Sequence, residues 1–192
     1  MDRIILINFF IEKFGYTNYL EIGCAFDECF NAINISQKVG VDPVRGGTIR
    51  KTSDEFFSEN EEKFDIIFLD GLHHCDQTLL DIENSLNVLR DNGTIVLHDC
   101  KPESEIEQLV PYPNNNIWVG DVWKSVVYNR QRPDIDIAVG NFDYGCGVIR
   151  VRPNSDLVNV CETIQDLKWE GFSQKKEEWL RLLSPEKLIE WI

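Results

Sequence analysis

Two stretches decide the fold of this sequence: FDIIFLDGLHHCDQ, which runs from Phe64 to Gln77, and GTIVLHDC, which runs from Gly93 to Cys100. Each contains an unbroken apolar run, which is typical of a parallel strand that is buried on both faces. Each run then ends in acids and histidines. Because the carboxyl ends of the strands form the ligand crevice of an open parallel sheet, we expect these polar residues to share one site.

Apolar runs alternate with helical patterns along the chain. This alternation predicts an α/β, Rossmann-like fold, with a seven-stranded, mostly parallel sheet and helices on both of its faces. The predicted strands are, in order, NYLEIG, KVGVDP, GTIRKT, FDIIFLD, TIVLHD, DIDIAVG and GCGVIRVRP. GTIRKT is the weakest of them, because only VRGG separates the second strand from the third. NFDYG predicts a C-terminal hairpin that brings an antiparallel strand into the sheet.

The chain has 192 residues, which predicts a single domain over 1–192. An N-terminal helix is expected at about residues 3–14 and a helical C-terminal tail at about 156–192. The tail contains Trp169, Trp179 and Trp191, which are expected in the core or at a subunit contact, so a homo-oligomer is one possible assembly. Asp121 is expected to cap the helix of GDVWKSVVYNR.

The formal net charge of −14 argues against nucleic acid and acidic membrane surfaces as partners, because they are polyanions themselves. It favours a small neutral or cationic substrate. No window approaches the roughly 18 to 20 apolar residues that a membrane span needs. The six cysteines form no CxxC pair, and the N-terminal stretch has no small-residue cleavage site, so we expect reduced thiols in the cytoplasm.

YLEIGCAFDECF followed by KVGVDP resembles the first two motifs of class I S-adenosylmethionine-dependent methyltransferases. TSDEFF, FDIIFLDGLHH, LDIENSLNVLRDNGTIVLHDC and GDVWKSVV extend the resemblance over essentially the whole chain. They are similar to a bacterial small-molecule branch that O-methylates sugars and glycosides. The resemblance implies S-adenosylmethionine as cofactor and a hydroxyl of a sugar or similar small molecule as acceptor. The alternatives are a non-catalytic binding protein of the same fold and a methyltransferase that acts on a protein or nucleic acid.

The resemblance implies that the cofactor is held by Glu21, Gly23, Asp42, Ser53 or Asp54, and Asp70. A glycine after a strand lets the backbone approach a ligand, and a carboxylate after the second strand can accept hydrogen bonds from a ribose diol. For Ser53 and Asp54 the alternative is a pair that caps a helix. Ala25 and Asp27 stand where further glycines are common in the family. Asp27 would repel a pyrophosphate, which argues against NAD or FAD.

His73 and Asp99 are the candidate catalytic residues. A histidine titrates near neutrality and suits the removal of a hydroxyl proton. His73 is favoured over His74 because it matches the DG-x-H pattern of related sequences. The resemblance also implies a divalent metal at Asp70, His98 and Asp99, where two carboxylates and an imidazole suit a transition metal better than magnesium. The alternative is a metal-free site in which Asp99 orients His73 or the acceptor.

The stretch PYPNNNIWVGDVWK contains one further candidate, Trp118. Its ring would give an apolar platform for an acceptor. The three asparagines and the prolines before it predict a mobile lid.

Overall fold

The computed structural model describes residues 1–114 and 117–192. Within them the strands are β1 (Asn18–Ile22), β2 (Gln37–Val41), β3 (Phe64–Leu69), β4 (Leu89–Leu97), β5 (Asp136–Gly140), β6 (Cys146–Arg150) and β7 (Leu182–Leu183). They form one sheet in the order β2-β1-β3-β4-β6-β5-β7. β6 runs antiparallel to both of its neighbours, and the other pairs are parallel. The predicted fold class and antiparallel hairpin are confirmed.

Helices cover both faces of the sheet. They are α1 (Arg3–Phe14), α2 (Glu28–Ala32), α3 (Ser53–Glu59), α4 (Cys75–Val88), α5 (Val122–Asn129), α6 (Trp169–Leu180) and α7 (Pro185–Trp191). The core has two layers, one with α1, α2 and α7 and the other with α3 to α6. Successive strand residues alternate between the layers, as Tyr19 and Leu20 do, which explains the continuous apolar runs. No helix in the described ranges is long and apolar enough to cross a membrane.

The order of the strands fixes where a ligand can bind. β1 pairs with β2 on one side and with β3 on the other, so the chain changes its winding direction between them. In open α/β sheets the crevice lies outside the carboxyl ends of the strands at this switch point. The acids and histidines that follow β1, β2, β3 and β4 therefore meet at one edge.

The predicted third strand, GTIRKT, is wrong. Ile49 makes only an isolated bridge to Val41. The segment folds back on β2 instead, since the N–H groups of Thr48 and Ile49 both donate to Gly40 O, at 2.8 and 2.9 Å. The four residues of VRGG allow only this turn, in which both glycines adopt positive φ. The seventh strand is β7, which lies parallel to β5 inside the stretch that was expected to be helical.

The C-terminal tail is helical only in part. Before α6, the stretch from 156 contains a single 3-10 turn, Ile164–Asp166. Arg130 explains the irregular course, because its fully buried guanidinium donates to the carbonyl groups of Asp156, Glu178 and Trp179. Together with the Asp156 carboxylate, which accepts from Nη2 at 2.7 Å, those carbonyls reduce the cost of burying the cation. The three tail tryptophans all pack against the core layers, as expected.

Two helix starts differ from the sequence-based expectation. Thr52, rather than Ser53 or Asp54, caps α3, and Glu55 completes a capping box with it. Asp121 does stand at the cap position of α5, but its side chain makes no cap hydrogen bond there. Its carboxylate accepts from the backbone N–H of Cys75 at 2.7 Å, so it ties the start of α4 to α5.

Candidate active site

A cavity of about 780 Å³ opens at the carboxyl ends of β1, β2, β3 and β4. This volume lies in the range of roughly 300–1,000 Å³ that is usual for small-molecule sites. The cavity is lined by all the residues predicted to be catalytic, cofactor-binding or metal-binding, namely Glu21, Gly23, Asp42, Ser53, Asp54, Asp70, His73, His98 and Asp99. Trp118, the candidate platform for an acceptor, is not among its lining residues. The structure therefore brings the two quoted strand ends into one site.

Gly23 joins the ends of two neighbouring strands. It has φ +88°, and a Cβ at this position would lie 2.1 Å from the carbonyl oxygen of Asp70. The space that the glycine frees is filled by the backbone of Asp70 and Gly71. Packing therefore requires a glycine here, and the approach of a ligand to its backbone stays a prediction. Any residue with a side chain would push β1 and β3 apart at the cavity floor.

At the two positions where further glycines are common in the family, the backbone adopts a conformation that favours glycine. Ala25 and Asp27 both have positive φ, +45° and +63°. A residue with a Cβ costs roughly 1–2 kcal/mol in this conformation. Asp27 stands at the cap position of α2 without capping it, and its carboxylate instead accepts from the N–H of Gly47 at 2.6 Å. This bond holds the turn after β2 against the turn after β1, and it offsets part of the strain.

Asp42 ends β2, and its carboxylate is held by four backbone N–H groups. One oxygen accepts from Cys24 and Ala25, and the other accepts from Val44 and Arg45, at 2.8–3.1 Å. Although burial opposes the charge, these bonds keep the pKa of Asp42 below its ordinary value. A carboxylate has about four lone-pair sites, so a ribose diol would share them with the backbone. Asp42 therefore also fixes the shape of the cavity.

Glu21 is almost fully buried and accepts a hydrogen bond from the hydroxyl of Tyr19. Burial raises the pKa of Glu21 to about 7, although the bond from Tyr19 acts in the opposite direction. The charge of Asp70 raises it further. Glu21 therefore takes up a proton near neutrality, at the end of β1 beside the cavity.

Ser53 and Asp54 meet α4 at the rim of the cavity. The side-chain amide of Gln77 donates to Ser53 Oγ at 3.2 Å and to Asp54 Oδ1 at 2.9 Å. It also reaches Oδ1 of the buried Asp81, at 3.1 Å. Gln77 was not recognised from the sequence, where it is one polar residue among several at the start of a helix.

Asp70, His73, His98 and Asp99 form one interlocked group. His73 Nε2 lies 3.5 Å from Asp70 Oδ1, and His73 Nδ1 lies 3.3 Å from Asp99 Oδ2. His98 Nδ1 lies 3.3 Å from an oxygen of each acid. Asp99 is buried with φ +57°, a conformation that is uncommon outside glycine and concentrated at functional sites.

Two residues of this group were missed by the sequence analysis. Asp143, from the β5–β6 hairpin, lies 3.4 Å from His98 Nε2. Arg3, from α1, donates its backbone N–H and its Nη1 to the same carboxylate, at 2.9–3.2 Å. Both lie far in sequence from the quoted strand ends. No local pattern marks them, because their role depends on how α1 and the hairpin pack against β4.

The charges of the group balance each other. Although burial disfavours the charged form, the carboxylates of Asp143, Asp70 and Asp99 raise the pKa of His98 to about 12. Burial likewise lowers the pKa of His73, but Asp70 and Asp99 outweigh it and the net shift is upward. For Asp70, burial acts to raise the pKa, and the two histidines hold it well below its ordinary value. His98 thus serves as a fixed cation among the acids.

The donor atoms best placed for a metal come from Asp70, His73 and Asp99. They all lie within 4.8 Å of one another. The set predicted from the sequence has His98 in place of His73. His98 Nδ1 also contacts both acids, and its Nε2 faces Asp143. His73 Nδ1 is buried and makes no hydrogen bond within the described residues. Two carboxylates with an imidazole nitrogen that makes no hydrogen bond to any described residue fit a divalent transition metal.

The loop before α5 holds His73 in place. A Cβ on Gly120 would lie 1.8 Å from the carbonyl oxygen of His73, and the N–H of Asp121 donates to that oxygen at 3.2 Å. The ring of Trp118 stacks on the His73 imidazole, with 5.2 Å between centroids. His74 meets only the edge of that ring and does not line the cavity. In the predicted lid, Asn115 and Asn116 lie outside the described residues.

Comparison with known proteins finds similarity to methyltransferases. Residues 25–100 match a family model described as "Methyltransferase domain". No curated protein matches the chain. A methyltransferase from Podospora anserina, bound to S-adenosylhomocysteine (SAH), superposes with a TM-score of 0.62 at 17% identity, over 78% of each chain. An O-methyltransferase from Bacillus cereus in complex with SAH gives 0.55 at 16% identity, over 78% of this chain and 80% of that one.

The O-methyltransferase TomG from Streptomyces achromogenes, in complex with S-adenosylmethionine, gives a TM-score of 0.55 at 12% identity, over 79% of this chain and 80% of that one. At these identities the likeness shows the fold. The fold is that of these methyltransferases, and the resemblance to methyltransferases found in the sequence is confirmed; the narrower resemblance to enzymes that methylate sugars stays a prediction.

Proposed function

Since the chain carries a methyltransferase domain on a class I methyltransferase fold, we propose that it transfers the methyl group of S-adenosylmethionine to a hydroxyl of a small molecule. The proposal rests on one observation. The expected cofactor residues and the Asp70–His73–Asp99 group line the same cavity. A cofactor and an acceptor can meet there without a second site.

We place the ribose at Asp42, the adenine near Ser53 and Asp54, and the sulfonium above Asp70. The placement follows the order of the strands, since β2, β1 and β3 are consecutive neighbours in the sheet. Adjacent strands are about 4.8 Å apart, so the cofactor would cross their ends in an extended form. The acids along this path suit a ligand with a sulfonium and an ammonium group.

Methyl transfer from a sulfonium is an in-line displacement, in which the acceptor oxygen attacks the methyl carbon and the sulfur leaves. The protein contributes alignment of the two reactants and removal of the hydroxyl proton. His73 contacts both acids, one through each ring nitrogen, and is held by Trp118 and the loop before α5. We assign proton removal to His73 and its orientation to Asp99.

Asp70, His73 and Asp99 would also hold a divalent metal, in place of the set with His98. A metal supplies Lewis acidity there and lowers the pKa of a bound hydroxyl. In that case these three side chains act as ligands, and none of them serves as the free base. Removal of metal distinguishes the two versions, because only the metal-bound version depends on it.

For the acceptor we propose a sugar or glycoside. The resemblance of DGLHH and LHD to sugar O-methyltransferases supports this class. The net charge of −14 supports a neutral or cationic acceptor over a nucleic acid.

Calorimetry with SAH tests the cofactor, and a screen with methyl-labelled S-adenosylmethionine against sugars, glycosides and proteins tests the acceptor. We expect binding of SAH and label on a glycoside hydroxyl. Asp99→Asn is the matched control, because it leaves the cofactor residues intact and should lose transfer. If only proteins were labelled, the proposed glycoside acceptor would be contradicted. If SAH did not bind, the proposed methyltransferase activity would be contradicted.

A further inference from the structure

The cavity wall carries few permanent positive charges. Its lining includes six acids and two arginines, Arg3 and Arg45. Arg45 is exposed, lies 4.3 Å from the ring centroid of Phe26 and belongs to the turn after β2. Arg3 belongs to the opposite end, where it pairs with Asp143 of the hairpin that leads into β6. Three strands, β1, β3 and β4, separate these two ends.

Arg3 has unused hydrogen-bonding capacity. A guanidinium has five N–H donors, and the side-chain bonds to Asp143 use only Nη1. Its Nε is buried and has no hydrogen-bond partner within the described residues. A buried donor without a partner is costly, so its persistence at a cavity wall points to a ligand that completes it.

The position of Arg3 relative to Asp70 indicates which part of a ligand it meets. Asp143 bridges Arg3 to His98, and His98 in turn contacts Asp70 at 3.3 Å. A cofactor with its ribose at Asp42 and its sulfur above Asp70 therefore directs its amino-acid end away from β2, toward the Arg3 side. That end carries a carboxylate, which the acidic walls repel.

We propose that Arg3 binds the carboxylate of the methionine part of the cofactor. This inference rests on the proposed function and adds a residue that neither the strand-end motifs nor the family match includes. A guanidinium binds a carboxylate through two parallel N–H donors, and Asp143 holds Arg3 ready for this from the other side. Besides His98, which three acids already surround, Arg3 is the cation that the described residues place at this end of the cavity.

A purely structural role predicts a different result. If Arg3 only anchors α1 through Asp143, its loss lowers the stability of the fold and reduces the affinity of every ligand of the cavity to the same extent. If it binds the carboxylate, its loss weakens only ligands that have one. SAH has the amino-acid group, whereas 5′-methylthioadenosine keeps the adenine, ribose and sulfur and lacks it. The ratio of the two affinities therefore isolates the interaction from general damage.

The test is calorimetric titration of both nucleosides into the wild type, Arg3→Ala, Arg3→Lys and Arg45→Ala, with thermal melts to check folding. We expect Arg3→Ala to weaken SAH about 10- to 100-fold, as for loss of a charged hydrogen bond, with 5′-methylthioadenosine changed less than about threefold. Arg3→Lys keeps the charge and should recover part of the lost SAH affinity. It replaces Arg3→Ala in the comparison if the alanine variant does not fold. Arg45→Ala removes the same charge and leaves the ratio unchanged.

Equal weakening of both nucleosides in the Arg3 variants, or no change in either, would overturn the assignment while the proposed function stands. A wild-type protein that binds neither nucleoside would overturn the proposed function and this inference with it.

Discussion

Replacing Glu21 with glutamine should make the stability of the protein less dependent on pH. Glu21 is 1% exposed, and its pKa rises from 4.5 to about 7 because of burial. The folded state thus holds a proton on Glu21 that the unfolded state releases above pH 4.5. Glutamine keeps the shape of the protonated acid and an acceptor for the Tyr19 hydroxyl, but it does not titrate.

The sign and size follow from this pKa. The contribution of Glu21 to stability is fully present below about pH 4.5 and is lost as pH rises through about 7. At about 1.4 kcal/mol for each pH unit, the loss is about 3 kcal/mol. The free energy of unfolding of Glu21→Gln, relative to the wild type, should therefore increase by about that amount over the same interval.

Urea denaturation of both proteins at several pH values between about 4.5 and 8 measures this difference. Glu61→Gln is the control, because it removes the same charge from an exposed residue. A difference between Glu21→Gln and the wild type that stays constant over the whole interval would show that Glu21 is ionised in the fold, and the reasoning about its burial would fail.

Three further results are expected. Asp42→Ala should lose on the order of 2–3 kcal/mol of cofactor affinity by calorimetry and should also lower the melting temperature, because four backbone N–H groups lose their acceptor; unchanged affinity in a folded variant contradicts the ribose role. His73→Ala should slow the chemical step roughly 10²–10⁴-fold in single-turnover assays with cofactor affinity intact. If a metal activates the hydroxyl instead, a chelator and Asp99→Ala should each abolish turnover. All six cysteines are free, so a thiol reductant should leave the thermal melt unchanged, and a drop of many degrees would reveal a disulfide.

The sequence predicts the fold class and the shared site because both depend on local patterns. β1 and β3 are buried almost throughout, and strands of this kind consist mainly of consecutive apolar residues. The placement of Asp42, Asp70 and Asp99 then follows from the parallel topology alone, which puts their strand ends at one edge of the sheet.

The features that the sequence does not predict depend on contacts between distant segments. β7 has only two residues, and it becomes a strand because β5 offers an unpaired edge. GTIRKT has the composition of a strand, but the turn before it is too short to carry it to a new position beside β2. Arg3 and Asp143 join the site through packing of α1 and the hairpin, which no motif records.

The choice between the two histidines as metal ligand depends on distant contacts as well. His98 and His73 both come at or after the end of a buried strand, and both imidazoles contact Asp70 and Asp99. What distinguishes them in the structure is Asp143, which faces His98 Nε2, and Trp118, which stacks on His73. Both contacts come from loops that lie more than forty residues away from their histidine in sequence.

A crystal structure of the protein with bound SAH tests the central claim most directly. The account predicts the ribose at Asp42, the sulfur above Asp70, and His73 and Asp99 facing the side from which an acceptor oxygen approaches that sulfur. A complex in which His73, His98 and Asp99 all point away from the sulfur, or in which the nucleoside lies outside this cavity, would contradict it.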